Sequence, residues 1–156
     1  MTAGDARVVV MVAAHLPAVA ALCGELGYAA EAGGVAGRFP ALHKHPDNGL
    51  FVAVDGTGAV VGFLHVFARR TLHAEAAAQV VAMAVAEGHR RRGIGTLLLE
   101  RAEAWAADNG LAAVMLYSAD GRDDAHGFYA ALGYRPKVGL SRYDKPLVSA
   151  SKRRKT

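Results

Sequence analysis

Apolar residues recur along this chain with two periods, and the places where one gives way to the other mark its elements. Arg7 to Ala13 is a short run rich in β-branched residues and reads as a first strand. Pro17, suited to a first helical turn, opens a segment in which Val19, Leu22, Cys23 and Leu26 share one helical face, ending near Gly27. Glu31 to Leu42 predicts a weaker second helix, thinned by Gly33, Gly34 and Gly37 and stopped around Pro40. His45 to Gly49 is a loop, Leu50 to Val54 a second strand, Asp55 to Gly58 a hairpin turn, and Val60 to Ala68 a third strand. A connection from Arg69 to Ala78 leads to a fourth strand, Gln79 to Ala86. Then Ile94, Leu97, Leu98, Ala102 and Trp105 return at helical spacing, predicting a main helix from about Gly93 to Asn109. Asn109-Gly110 is its stop signal. Ala113 to Ser118 reads as a fifth strand and Asp120 to Arg122 as a turn. A short helix follows, capped by Asp123 or Asp124 and ending at Gly133. Tyr134 to Val148 is expected to hold one or two short strands.

Antiparallel hairpins followed by a strand-helix-strand-helix-strand unit predict an α/β fold of the α+β type. Its sheet is mixed and mostly antiparallel, with helices on both faces. The crossover through the main helix makes the fourth and fifth strands parallel. Ligands in such sheets bind beyond the carboxyl ends of strands, here beside Val85 and Ser118.

Composition changes this picture little. The 156 residues, 53% of them hydrophobic and 21% charged, suit one globular domain and exclude a disordered chain. The net charge of +4 hints at nucleic acid, but four of the 18 basic residues crowd into Lys152 to Lys155. Without them 14 basic residues face 14 acidic ones, so the body is neutral and nucleic acid is disfavoured as a partner. The reading is a domain over 1–148 and a disordered basic tail over 149–156. Cys23, the sole cysteine, excludes an intrachain disulfide and reads as a core thiol. His43-x-His45 is the only close histidine pair and has no third ligand in range, so no metal site is expected. No apolar run approaches the roughly 20 residues that span a bilayer, and Asp5, His15 and Pro17 spoil a signal segment. The expectation is a cytoplasmic protein, with a homodimer left open.

The chemistry concentrates at His89-Arg90-Arg91-Arg92-Gly93-Ile94-Gly95-Thr96, between the fourth strand and the main helix. A strand-loop-helix turn exposes unpaired backbone N–H groups at the positive end of the helix dipole, which favours an anion. Gly93 and Gly95 carry no Cβ that would hold a phosphate off the backbone. Arg90, Arg91 and Arg92 add bidentate donors suited to phosphate oxygens. The run lacks the Lys-Ser/Thr of a Walker loop, and Leu98 stands where a dinucleotide fingerprint needs its third glycine. Alone, it reads equally well as a tight turn with a solvated arginine cluster.

The spacing Arg90-x-x-Gly93-x-Gly95 resembles the pyrophosphate-binding loop of the Gcn5-related N-acetyltransferases (GNAT superfamily). A second stretch, Ala125-His126-Gly127-Phe128-Tyr129-Ala130-Ala131-Leu132-Gly133-Tyr134, resembles the A-x-x-F-Y-x-x-x-G-F/Y run found after the fifth strand in that family. By itself it describes a helix that packs Phe128 and Leu132 inward. Two motifs in order, on the expected elements, make the resemblance specific. Weaker likeness at Leu26-Gly27-Tyr28, Val60-Val61-Gly62 and Tyr143 to Leu147 extends it over nearly the whole chain to about Val148.

The resemblance implies a GNAT-like fold whose parallel fourth and fifth strands splay apart. It also implies transfer of acetyl from acetyl-CoA, a cosubstrate, to a small-molecule or polypeptide amine in a ternary complex. Arg90 to Thr96, including Ile94, would hold the pyrophosphate. The backbone edge at Met83, Ala84 and Val85 would pair with the pantetheine arm and polarise the thioester carbonyl. Phe128 would pack beside the cofactor, and Tyr129 would give its proton to the departing thiolate. The chain departs from the family at two points. Arg122 stands where an Asn is frequent, and is assigned to coenzyme phosphate or solvent. Gln79 stands where histone-type members carry a catalytic Glu, eleven residues before Arg90. The base is therefore open: the proton leaves through water to Glu75, Glu25 or Glu31, or the amine binds already neutral. The acceptor site is expected from the first two helices and the strands after Tyr134, with Glu25, Tyr28, Glu31, His73 and Glu75 as candidates. The competing reading is a coenzyme A-binding sensor that has lost catalysis.

Overall fold

In the computed structural model the apolar runs pair into one sheet, with strands β1 (Arg7–Val10), β2 (Asn48–Val54), β3 (Val60–Arg69), β4 (Ala77–Val85) and β5 (Val114–Leu116) in that order. The first four pair antiparallel, and β4 and β5 run parallel. The structure describes residues 5–27, 32–118, 123–137, 139 and 141–148. It divides into two compact units, Met1–Arg122 and Asp123–Thr156. The sheet and helices α1 (Leu16–Glu25), α2 (Ala32–Lys44) and α3 (Ile94–Asp108) belong to the first. The second holds α4 (Asp123–Ala131). The turn expected at Asp120 to Arg122 and the tail over 149–156 lie outside the described residues.

Strand alternation explains the two-faced packing. Leu50, Val52, Val54, Phe63 and Ala84 point to one face and form a buried cluster with Met11 and with Leu16, Val19 and Leu22 of α1. Val35, Phe39 and Leu42 of α2 pack against that cluster. The opposite face carries α3, whose Leu98, Leu99, Ala102 and Ala106 are buried. Gly62 on β3 sets how closely α3 approaches. A Cβ there would lie 3.0 Å from the Ala84 carbonyl oxygen, 3.2 Å from Leu98 Cδ1 and 3.3 Å from Ile94 Cγ2. The first turn of α3 therefore rests directly on the sheet backbone.

Several expectations need correction. The first strand stops at Val10, because Ala13–His15 forms a 3-10 turn in which Val12 N–H donates to His15 Nδ1. The second helix continues through Pro40 to Lys44. Proline removes one donor there, but Phe39 and Leu42 on either side gain burial against the core, and packing overrides propensity. Cys23 is half-buried at the margin of the core, where burial raises its thiol pKa despite the opposing charge of Arg38. The strands expected within Tyr134 to Val148 are absent among the described residues. Pro136 and Pro146 cannot donate to a ladder, and residues 141–148 are all exposed. No helix among the described residues is long and apolar enough to cross a membrane.

Asp55, which starts the β2–β3 turn, is the buried charged residue of the described core. Its Oδ1 accepts from Thr57 Oγ1 (2.6 Å), Thr57 N–H (2.9 Å) and Ala59 N–H (3.0 Å). The Thr57 hydroxyl is the main reason its carboxyl is held below the usual range, and the nearby His89 charge acts in the same direction. A depressed carboxyl pKa stabilises the fold above the unfolded value, and that contribution is lost as pH falls through the folded one. Asp55→Asn should therefore flatten the acid side of the stability profile, as measured by urea denaturation across the carboxylate range. Gly62→Val should destabilise by about 1–3 kcal/mol, because neither the Ala84 backbone nor the α3 side chains can all give way. An unchanged urea midpoint would show that α3 is not seated on Gly62.

Candidate active site

Two features of β4 shape the site. Pairing with β5 covers only Ala78↔Val114, Gln79↔Met115 and Val80↔Leu116, so β4 runs on for five residues, Val81 to Val85, with no strand on that side among the described residues. These two strands therefore separate at Val80 and Leu116, as expected from their splay. On its other side β4 stays paired with β3, but the register shifts at His65/Val66. Val66 faces Val80 and His65 faces Ala82, leaving Val81 as the extra residue of a β-bulge. Val81 is 42% exposed, more than any other residue of β4.

Beyond Val85 the chain makes a short 3-10 turn, Glu87–His89, and then the arginine-glycine loop. Ala86 N–H donates to the Val61 carbonyl (2.8 Å), which ties the start of this connection to β3. Arg90 Nε donates to the Val85 carbonyl at 3.3 Å, folding the loop back on the strand end. Arg91 has φ 63° and Gly93 φ 81°, two left-handed residues within three positions. Gly93 is the N-cap of α3 and is suited to that conformation; Arg91 is not, at a cost of roughly 1–2 kcal/mol. Strain of this kind persists where the surroundings hold it, and such residues cluster at ligand sites.

No side chain caps α3, and no acid occupies its first turn. The first-turn N–H groups of an α-helix have no intrahelical acceptor, so those at Ile94, Gly95 and Thr96 point outward at the positive end of the helix dipole. Arg90, Arg91 and Arg92 are all exposed beside them, while Ile94 is buried and anchors the turn. The first unit thus brings Met83, Ala84 and Val85 into line with Arg90 to Thr96: an open strand edge running into a cationic, donor-rich helix start. His89 lies half-buried beside this loop, with its Nδ1 lacking a hydrogen-bond partner among the described residues.

The remaining candidates fare differently. Glu25 is exposed at the end of α1, and His73 and Glu75 are exposed in the β3–β4 connection. That connection joins the end of β4 remote from the loop, up to about 20 Å of extended chain from Val81 to Glu75. Tyr28, Glu31 and Arg122 lie outside the described residues. In the second unit, α4 carries half-buried Phe128 and Tyr129, whose rings meet edge-on at 5.3 Å. Tyr134 N–H donates to the Tyr129 carbonyl (3.0 Å), and the two tyrosine rings stand 6.3 Å apart, so the helix end folds onto Tyr129. A cleft of about 440 Å³ between β1, β2 and α3, lined by Phe51, Arg101 and Trp105 among others, contains none of the candidates.

One polar pair was not foreseen. His65, alone among apolar neighbours in β3, shares a face with Phe63 and Phe67, and its Nε2 lies 2.9 Å from Asn48 Oδ1. Burial lowers its pKa and favours the neutral ring. The period-two alternation of β3 places His65 on the face that Gln79 shares across the β3–β4 pair; the bulge that sets it opposite Ala82 leaves no trace in the pattern.

Comparison with known proteins accords with this geometry. The model of the Acetyltransferase (GNAT) family matches residues 23–134. No curated protein sequence matches significantly. Among solved structures, a transcriptional regulator from Bacillus halodurans C-125 superposes with a TM-score of 0.77 at 23% identity, covering 89% of this chain and 99% of that one. AAC(6')-Iy, in complex with the bisubstrate analogue CoA-S-monomethyl-acetylneamine, gives 0.80 at 16% identity, covering 91% and 99%. Glucosamine-6-phosphate N-acetyltransferase from Arabidopsis thaliana gives 0.78 at 16% identity, covering 90% and 99%. These likenesses speak to the fold. The family match spans both the loop and the Phe128-Tyr129 helix, and by it the chain belongs to the GNAT acetyltransferase family.

Proposed function

We propose that the protein is an acetyl-CoA-dependent N-acetyltransferase that acts on a primary amine by direct attack in a ternary complex. One observation carries this reading: the unpaired edge of β4 from Val81 to Val85 leads straight into the uncapped start of α3. An extended amide-bearing arm with a pyrophosphate at one end has matching partners there in the same order. Backbone N–H groups of Gly93 to Thr96, with Arg90 to Arg92, suit the pyrophosphate. The Met83–Val85 edge suits the pantetheine amides, in the manner of an added strand. AAC(6')-Iy, with the same fold, binds an analogue built on CoA.

When bound, acetyl-CoA supplies an activated acyl carbon. The chain supplies position and charge. A backbone N–H on the open edge of β4, near Met83 and Val85, is suited to the growing negative charge on the acyl oxygen, and preorganised donors of this kind are a large catalytic contribution. Tyr129 is assigned as the acid that protonates the leaving sulfur, since a neutral phenol can donate as negative charge develops. The acceptor is read as a small-molecule amine in the first instance, by analogy with the amino-sugar substrate named for the Arabidopsis protein.

Two measurements test the reading. Gly95→Val places a branched side chain in the first turn of α3, so coenzyme A affinity by calorimetry should fall at least tenfold while the circular dichroism spectrum is kept; unchanged affinity in the folded variant would remove the loop from cofactor binding. Tyr129→Phe removes one hydroxyl and almost no volume. It should slow the chemical step by roughly 10²–10⁴-fold and leave coenzyme A affinity nearly unchanged. A kinetically normal variant, with chemistry rate-limiting, would exclude Tyr129 as the acid.

A further inference from the structure

We infer that His65 is the general base that deprotonates the acceptor amine, an assignment that rests on the transferase reading above. The position at which histone-type relatives carry an acid is Gln79 here, and an amide has no proton affinity to offer at neutral pH. Gln79 pairs with Phe67 across β3 and β4, and His65 is the next residue along β3 on that face. The step from Phe67 to His65 runs towards the open half of β4. There His65 sits opposite Ala82, about 5 Å away across the ladder and next to the bulged Val81. His65 thus stands on β3 level with the open half of β4, one strand in from the fork between β4 and β5, whereas Glu75 and His73 stand beyond the other end of β4.

The hydrogen bond to Asn48 decides which ring nitrogen is available. Asn48 Oδ1 can only accept, so His65 Nε2 carries the hydrogen and donates at 2.9 Å. Nδ1 is left with the lone pair. Asn48 is therefore a positioning residue: it fixes the tautomer and orientation of the ring, as second partners of functional histidines do. Burial lowers the ring's pKa and so favours its neutral form, the form in which Nδ1 holds a lone pair. Its strand neighbours Phe63, Phe67, Ala82 and Asn48 carry no charge. The ionisable residues of the elements on this face are Arg69 on β3, Cys23 and Glu25 on α1, and Arg38, His43 and Lys44 on α2. Arg69, with a nitrogen donating to Met115 Sδ at 3.5 Å, and Cys23 are half-buried, and the others are exposed.

The step balances as follows. The alkylammonium nitrogen gives one proton to His65 Nδ1, and its freed lone pair forms the C–N bond to the acyl carbon. The C–S bond breaks, and Tyr129 donates its proton to the sulfur, which leaves as a thiol. Tyr129 recovers a proton from the nitrogen, the amide keeps the third hydrogen, and His65 passes its proton to water.

The test uses the full chain and begins without cofactor. Long-range ¹H–¹⁵N correlation spectra of the protein at neutral pH should show His65 as the neutral Nε2–H tautomer. An Nδ1–H tautomer or an imidazolium would overturn the assignment. Thiol release from acetyl-CoA is then followed with glucosamine 6-phosphate, neamine, spermidine and tyramine as probe amines. His65→Gln retains an amide that can donate to Asn48 but has no basic nitrogen. It should lower kcat/KM for the acceptor by roughly 10²–10⁴-fold, with calorimetric coenzyme A affinity unchanged. In His65→Ala, added imidazole should restore a measurable part of the rate, and a variant that fails to fold is replaced by His65→Asn for the same comparison. A His65→Gln rate within threefold of the wild type, or no rescue by imidazole, would overturn the His65 assignment and leave the transferase reading standing. Coenzyme A binding without thiol release from any probe would overturn both.

Discussion

The structure depends on an imbalance in strand pairing. β4 is paired with β3 on both sides of the Val81 bulge but with β5 over only three residues, so half of its other edge has no partner strand among the described residues. A central strand with an unmet row of backbone donors and acceptors is normally a liability, because each buried unpaired group costs on the order of 1–3 kcal/mol. Here the rest of the first unit keeps that edge in place. The α1 and α2 residues pack one face of the sheet, α3 packs the other through Gly62, and the loop returns to the strand end through Arg90 and the Val85 carbonyl. The proposed binding surface is thus mainly backbone held by core packing. Its geometry follows from the fold more than from any one side chain.

The division between what local sequence reveals and what it hides follows from this. The arginine-glycine loop was legible because Gly93 and Gly95 answer a local steric demand, a left-handed N-cap and an uncovered first turn. The mixed sheet with β4 and β5 parallel was legible because hairpin turns and a helical crossover leave few topologies open. The bulge at Val81 was not, because register is decided by contacts between strands, and Val80-Val81-Ala82 is a uniformly apolar run. Helix α2 passed through Pro40 because burial of Phe39 and Leu42 outweighed one missing donor. The strands expected after Tyr134 rested on apolar and aromatic residues such as Tyr143 and Leu147. Those side chains are 92% and 79% exposed, and find no partner strand among the described residues.

His65 shows the same limit at the level of chemistry. In sequence it is one histidine of seven, set in the interior of a β-branched and aromatic strand. Only pairing shows it beside Ala82 on one strand and hydrogen-bonded to Asn48 on another. In the proposed mechanism, cofactor recognition by backbone and proton transfer by side chains fall to different layers of the molecule. The side-chain layer can change with the acceptor while the sheet is kept, which fits a shared fold at identities of 16–23%.

The open edge of β4 also bears on how this protein avoids sticking to itself. A bare apolar strand edge is a template on which a second chain can add, and Val-Ala-Met-Ala-Val is a composition prone to it. The edge here is only about 13 Å long, from Val81 to Val85 at ~3.3 Å per residue. It ends at Val80, where β5 takes up the pairing, and at the cationic start of α3 at the other side. An incoming polypeptide strand would have to stop within five residues, against β5 at one end and three arginines at the other. A slender ligand with an anionic head meets neither obstacle. The notch therefore works as a length and charge filter against cross-chain aggregation, leaving the protein an unpaired strand segment that is hard for another chain to use.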